Sequence, residues 1–130
     1  LILSAHCILK KFNENDIISQ LKNKVCVFGN QIPVWNGKKI SKRYIWSHFG
    51  DKKEINLFSK LENRYFLHNA LASYTKKILK KYPFDENLTG KEDRYWANKI
   101  VKMKLNYLYD PNLVAEHQYT VNGNTWKGIG

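Results

Sequence analysis

The first thirty-one residues, LILSAHCILKKFNENDIISQLKNKVCVFGNQ (1–31), decide how the chain is to be folded. Residues 1–6 are apolar and short, and read as a buried strand. Asn13 stands ahead of Ile17, Ile18 and Leu21, with Asp16 three residues on; this is an N-cap followed by the apolar stripe of a helix that runs to about Asn23. VCVFGNQ, 25–31, is β-branched and aromatic and reads as a second core strand. Strand, helix and strand in so short a span form a βαβ unit, which predicts a parallel pair with the helix on one face. The expected fold class is α/β, with a mixed, mainly parallel sheet flanked by helices, in one domain over residues 1–130.

Further along, RYFLHNALASY (64–74) reads as a strand, with Thr75 capping the short helix KKILKKY and Pro83 ending it. A longer helix starts near Glu92. Trp96, Ile100 and Met103 share one of its faces, while Arg94, Lys99, Lys102 and Lys104 face elsewhere. Asn106 is placed to take a left-handed conformation after it, and YLYDP and LVAEHQY then give two last short strands before the glycine-rich tail NGNTWKGIG. Between Ile32 and Leu61 the pattern loosens. Basic and aromatic residues interleave in KKISKRYIWSHFGDKK (38–53), with Ile40, Tyr44 and Ile45 on one side of a part-helical stretch. Tyr44, Trp46 and Phe49 suit either a cover on the core or stacking platforms for single-stranded nucleic acid.

An apolar share of 43% with 14% aromatics is too rich for disorder. No apolar run approaches the roughly eighteen residues needed to span a bilayer, and no signal-peptide pattern is present. Cys7 and Cys26 stand in small or apolar surroundings and read as buried hydrophobes rather than a disulfide, which suits a reducing cytoplasm. The chain begins without Met inside an apolar segment, as a piece of a longer protein would. A net charge of +11 favours a polyanionic partner: nucleic acid, an anionic membrane face or a phosphorylated small molecule. Many of the lysines also fall on polar helix faces, where solvation alone accounts for them.

Two groups of residues can carry chemistry. Asp85, Glu86, Glu92 and Asp93 crowd into PFDENLTGKEDRYWANKI, with Glu92 and Asp93 in the first turn of a helix. The helix end stabilises anions there, and a base that projects from a rigid element into a cleft is well placed for proton transfer. His6 and His117 each end or interrupt an apolar strand, and if those strands are neighbours both rings can enter one crevice at the end of the sheet.

FLHNALASYTKKILKKYPFDENLTGKEDRYWANKIVKMKLNYLYDPNLVAEHQY resembles the second half of a bacterial family 2 glycosyltransferase of the GT-A fold. PFDE, then a glycine, the ED pair opening a helix, the Y-x-P turn and a strand ending in His carry the likeness, and LILSAHC falls where that family has its Asp-x-Asp signature. The resemblance implies a partial GT-A fold, the C-terminal portion of a catalytic domain, in an enzyme that moves a sugar with inversion from a nucleotide-diphosphate sugar donor to a hydroxyl of a saccharide or lipid-linked acceptor. It implies Asp93 as catalytic base and Glu92 as its helper at the acceptor. His6 and His117 would be ligands of a divalent cation, Ser4 replaces the first Asp of the signature near the donor, and Lys127 and Trp126 on the tail would close over the diphosphate. His68 and Asn69 would face the sugar pocket. Imidazole suits Mn²⁺ better than Mg²⁺, so manganese is the expected ion. The location implied is cytoplasmic, peripheral at the inner membrane face, where basic residues meet anionic lipid, with no role for nucleic acid. Two other readings compete: a basic nucleic-acid-binding module, whose affinity collapses with salt, and a non-catalytic glycosyltransferase-like scaffold.

Overall fold

A computed structural model describes residues 1–40 and 48–118. In chain order the elements are β1 (Ile2–Leu3), β2 (Cys7–Lys11), α1 (Glu14–Leu21), β3 (Cys26–Trp35), β4 (Lys38–Lys39), β5 (Glu54–Ile55), β6 (Phe58–Ser59), β7 (Arg64–Tyr65), β8 (Leu71–Tyr74), α2 (Lys76–Lys81), α3 (Glu92–Lys102) and β9 (Tyr107–Gln118). Tyr44, Ile45, Trp46 and the tail that carries Trp126 and Lys127 lie outside the described residues.

Local signals act where they stand in the sequence. The Asn13 side chain accepts from the Asp16 amide and opens α1; Thr75 does the same for Ile78 at α2. Helix α3 starts without a side-chain cap, on Lys91 in the left-handed region at φ 63°, and Glu92 and Asp93 fill its first turn. It ends through Lys104, at φ 59°, rather than through the expected Asn106. Met103, expected on the apolar face, stands past the last turn and is 43% exposed.

The sheet runs β1-β8-β3-β9-β2, with β4 against β3 and β5 against β9. Only β3 and β9 are parallel; every other described pair is antiparallel. The expected mainly parallel sheet is thus corrected to a mixed, mostly antiparallel one. The reason lies in residues 1–31. The first apolar run does not form one buried strand: a turn closed by the Cys7 amide on the Ser4 carbonyl (2.9 Å) splits it, and Leu1 and Leu3 are left exposed. Helix α1 then connects β2 to β3, which lie on opposite sides of β9 and do not pair with each other.

β1 and β2 stand at the two ends of this order although only residues 4–6 join them. Four Cα steps reach about 15 Å, whereas four strand spacings in a flat sheet come to about 19 Å, so the sheet must curl. The link is pinned at both sides of the curl, by the Ser4 amide on the Ala70 carbonyl (3.0 Å) and by the Gln118 amide on the His6 carbonyl (2.8 Å). Curling is what brings His6 to the end of β9.

Alternation along the strands divides the core into two faces. Cys26 and Phe28 of β3 and Tyr107 and Tyr109 of β9 turn to one side, where Trp96, Ala97 and Ile100 of α3 cover them with Phe66. Val27, Leu108, Leu113 and Ala115 turn to the other, under Ile17 of α1. Both cysteines are buried and unbridged. The stretch expected as one strand over 64–74 is broken into β7 and β8, and residues 66–70 between them leave the ladder. The two strands expected at the end are instead one, β9, whose register against β3 shifts between Gly29 and Asn30. At that shift, the buried Asp110 carboxylate ties three segments together, accepting from Gln20 Nε2 (2.7 Å), Lys53 Nζ (2.9 Å) and the Asn112 amide (2.9 Å). No described helix is long and apolar enough to cross a membrane.

Candidate functional site

Three imidazoles meet at the C-terminal end of β9. Cys7 pairs with His117 across β2 and β9, which sets His6 beside it; the two rings stack with centroids 5.2 Å apart and planes 24° apart. His68, from the loop before β8, meets His117 edge to face at 6.1 Å. His117 is fully buried, and its Nδ1 lies 2.7 Å from Oε1 of the buried Gln31 on β3. A carbonyl oxygen there takes an N–H, which places the His117 proton on Nδ1 and leaves Nε2 as the basic nitrogen. At His68 the order is reversed: Nδ1 accepts from the Ala70 amide (3.1 Å), so the proton is on Nε2.

Neither ring charges in the ordinary range. Burial lowers His68 to about 3, with the Arg94 charge pushing the same way and Glu62 opposing it. Burial lowers His117 to about 3 as well, with His68 and His6 adding to it. Burial also raises the Cys7 thiol to about 11 against a smaller opposing hydrogen bond from Ser4, so this cysteine stays protonated beside the rings.

The carboxylate of Asp93, 5% exposed, lies in the first turn of α3. Its Oδ2 accepts from the Asn69 amide at 3.1 Å, and its Oδ1 accepts from the Arg94 amide at 2.8 Å and from Arg94 Nη1 at 3.2 Å. Because Asn69 follows His68, the chain itself joins the imidazole group to this carboxylate. Burial raises the Asp93 carboxyl, and Arg94 with the two backbone N–H groups pulls it back in part. The Asn69 side chain is held in turn by the Tyr74 hydroxyl, which donates to Oδ1 at 2.5 Å. Glu92 stands half-buried beside Asp93 at the start of the helix, and Ser4 lies in the turn that carries His6.

Sequence reasoning missed three residues here. Gln31 had a readable signal, a polar side chain inside the β-branched run of β3. Arg94 was expected to face away from the core; it is instead 6% exposed, with its guanidinium 4.7 Å from the centre of the Phe66 ring and its Nε donating to Glu62 Oε1 at 3.1 Å. Glu62 gave no local signal at all, because its role comes from a β6–β7 hairpin that only the tertiary fold lays against α3.

A divalent cation fits the imidazoles in part. His117 keeps its Nδ1–H on a carbonyl, as metal-binding histidines do, but its ring is fully buried, and His6, stacked on it, is the more exposed of the two. His68 carries its proton on the outer nitrogen and is unsuited to ligation. Among the described residues no group of three or more His, Cys, Asp or Glu side chains could hold an ion. A cation held by His6 and His117 would therefore draw its other ligands from water and from the oxygens of a bound anion.

Comparison of the chain with protein-family models, with curated proteins and with solved structures finds no match.

Proposed function

We propose that this chain is part of an inverting glycosyltransferase that uses a nucleotide-diphosphate sugar. One observation carries the reading: the Asp93 carboxylate, buried in the first turn of α3 and fixed on both oxygens, is joined through the Asn69 amide to the loop that brings His68 against His117, which in turn stacks with His6. In the reaction an acceptor hydroxyl oxygen attacks the anomeric carbon while Asp93 takes its proton. The bond from that carbon to the diphosphate oxygen breaks, and its electron pair leaves with the diphosphate. Attack from the face opposite the leaving group inverts the anomeric centre. Burial that raises the Asp93 carboxyl makes it a stronger base once ionised, which suits it to a proton held by an alcohol. Glu92 would help bind the acceptor, and His68 and Asn69 would line the sugar pocket. A divalent cation, manganese by the donor set, would offset the charge of the departing diphosphate.

The lysines suit an acceptor presented on an anionic bilayer. Lys76, Lys77, Lys80 and Lys81 of α2 are exposed, as are Lys99 and Lys102 of α3; the ammoniums of Lys81 and Lys99 both lie near the Tyr82 ring, at 5.3 and 5.7 Å. In this reading the enzyme works at the cytoplasmic face of that membrane.

The test is a transfer assay in which a panel of nucleotide-diphosphate sugars is incubated with the chain and Mn²⁺, with and without lipid-linked or free saccharide acceptors, and nucleoside diphosphate release is followed. Release that needs a particular donor and rises with acceptor is the expected result. No release with any donor, together with tight, salt-sensitive binding of oligonucleotides, would replace this reading with the nucleic-acid one.

A further inference from the structure

We propose that Glu62, in the β6–β7 hairpin, is a positioning residue for Asp93: it occupies one edge of the Arg94 guanidinium, so that a single side-chain N–H of Arg94 reaches the carboxylate. The proposal rests on the reading of Asp93 as a base, and its test separates the two. Arg94 Nε donates to Glu62 Oε1 at 3.1 Å, its Nη1 donates to Asp93 Oδ1 at 3.2 Å, and its face is set on Phe66. Glu62 is itself fixed: Arg64 Nε lies 2.8 Å from its other oxygen, and its amide donates to Ser59 Oγ at 3.0 Å. The Glu62 side chain is 3% exposed and that of Arg94 7%, so water screens neither group well.

The consequence is a matter of base strength. An arginine free to turn its whole fork on a carboxylate makes two charge-assisted hydrogen bonds and holds it as a stable, weakly basic anion. Here half of the fork is spent on Glu62. Burial pushes the Glu62 carboxyl up, but Arg94 and Arg64 together outweigh it and keep that group ionised, while Asp93 is left on the raised side of its usual range. The hairpin thus supplies a negative charge that competes for the Arg94 cation beside the base.

The groups around Asp93 leave this pair in control. Glu92 and Arg94 come from its own helix, Tyr74 from β8 with its hydroxyl raised by burial first, His68 from the preceding loop with a neutral ring, and Glu62 and Arg64 from the hairpin. Of these, the groups joined to one another in a line are Arg64, Glu62, Arg94 and Asp93.

The test is a carbon-13 NMR titration of the Asp93 carboxyl in the whole chain, alongside the pH profile of transfer. Glu62→Gln removes the negative charge that competes for Arg94, though its amide oxygen can still accept, and is expected to lower the Asp93 midpoint by about one unit; Arg94→Gln removes the cation and is expected to raise it by about as much. Arg64→Met, at a less buried position, strengthens the hold of Glu62 on Arg94 and should raise it by a smaller step, which keeps the proposal testable if either of the first two variants fails to fold. Opposite shifts for Glu62→Gln and Arg94→Gln establish the positioning role even where no transfer is seen, in which case only the enzymatic reading is lost. Midpoints that stay put, or move the same way in both, overturn it, whatever the turnover.

Discussion

Asp93→Asn is expected to lower sugar transfer by roughly 10²- to 10⁴-fold, the range for loss of a positioned proton acceptor, while leaving the fold intact. The amide has the shape of the carboxyl and its single oxygen can keep the Arg94 contacts, but its NH2 then stands against the Asn69 N–H, and it cannot take a proton from an alcohol. Stability should change far less, because two effects oppose. Burial holds the Asp93 carboxyl above its unfolded value, so the native state favours the protonated group. The stability this contributes is present below the unfolded value and is lost as pH rises through the folded one. Asparagine mimics the protonated form at every pH. The thermal midpoint of the variant at neutral pH should therefore stay within a few degrees of the parent's, relief of the buried charge offsetting the one lost hydrogen bond. A variant that loses activity and melts many degrees earlier would mean that Asp93 is a structural ion-pair member, and the mechanism would lose its base.

Gly29→Ala should be the most damaging single methyl group in the described chain. A Cβ at this position would meet the Leu113 carbonyl oxygen, with Leu113 Cγ at 2.7 Å and Leu71 Cδ2 at 2.8 Å. The side chains could turn, but the carbonyl belongs to β9, the one parallel neighbour of β3, just where the ladder changes register. Relief would mean prising the two central strands apart. Overpacking of a tight core costs about 1–3 kcal/mol, and a contact with fixed backbone belongs at or beyond the upper end of that range. Urea unfolding should show a loss of about 3 kcal/mol or more, with the slope unchanged. A loss under about 1 kcal/mol would show that β3 and β9 are not packed at this spacing. The same strands carry Gln31 and His117, so this close approach also sets the distance between them.

These two positions show what kind of information the sequence carries. Caps and apolar stripes are local, and Asn13, Thr75 and the Glu92 start of α3 were legible because their physics is complete within one turn. Strand direction is not local. Alternation of Val27 against Cys26 and Phe28 tells which faces are buried, but is the same whether the neighbour runs parallel or antiparallel. The strand, helix and strand of residues 1–31 are present in substance, yet β2 and β3 are separated by β9, which begins about seventy residues after β3 ends. The site divides in the same way. His6, His117, His68 and Asp93 could be named from their types and their places at strand and helix ends. Gln31 against His117, and Glu62 against Arg94, are contacts between distant segments, and nothing near either residue announces its partner. Arg94 shows the limit most plainly: on a helical wheel it is one more cation, and only the hairpin and the Phe66 ring give it a reason to be inside.

The proposed function requires the imidazoles and Asp93 to surround one diphosphate. The most direct measurement is an NMR titration of the chain with a nucleoside diphosphate and Mn²⁺, carried to millimolar ligand, with the histidine ring and Asn69 amide signals assigned. His6, His117, His68 and Asn69 should shift together on one binding curve, and manganese should broaden His6 and His117 first. Shifts confined to the lysines of α2 and the end of α3, with the three rings and Asn69 unmoved at saturation, would contradict it.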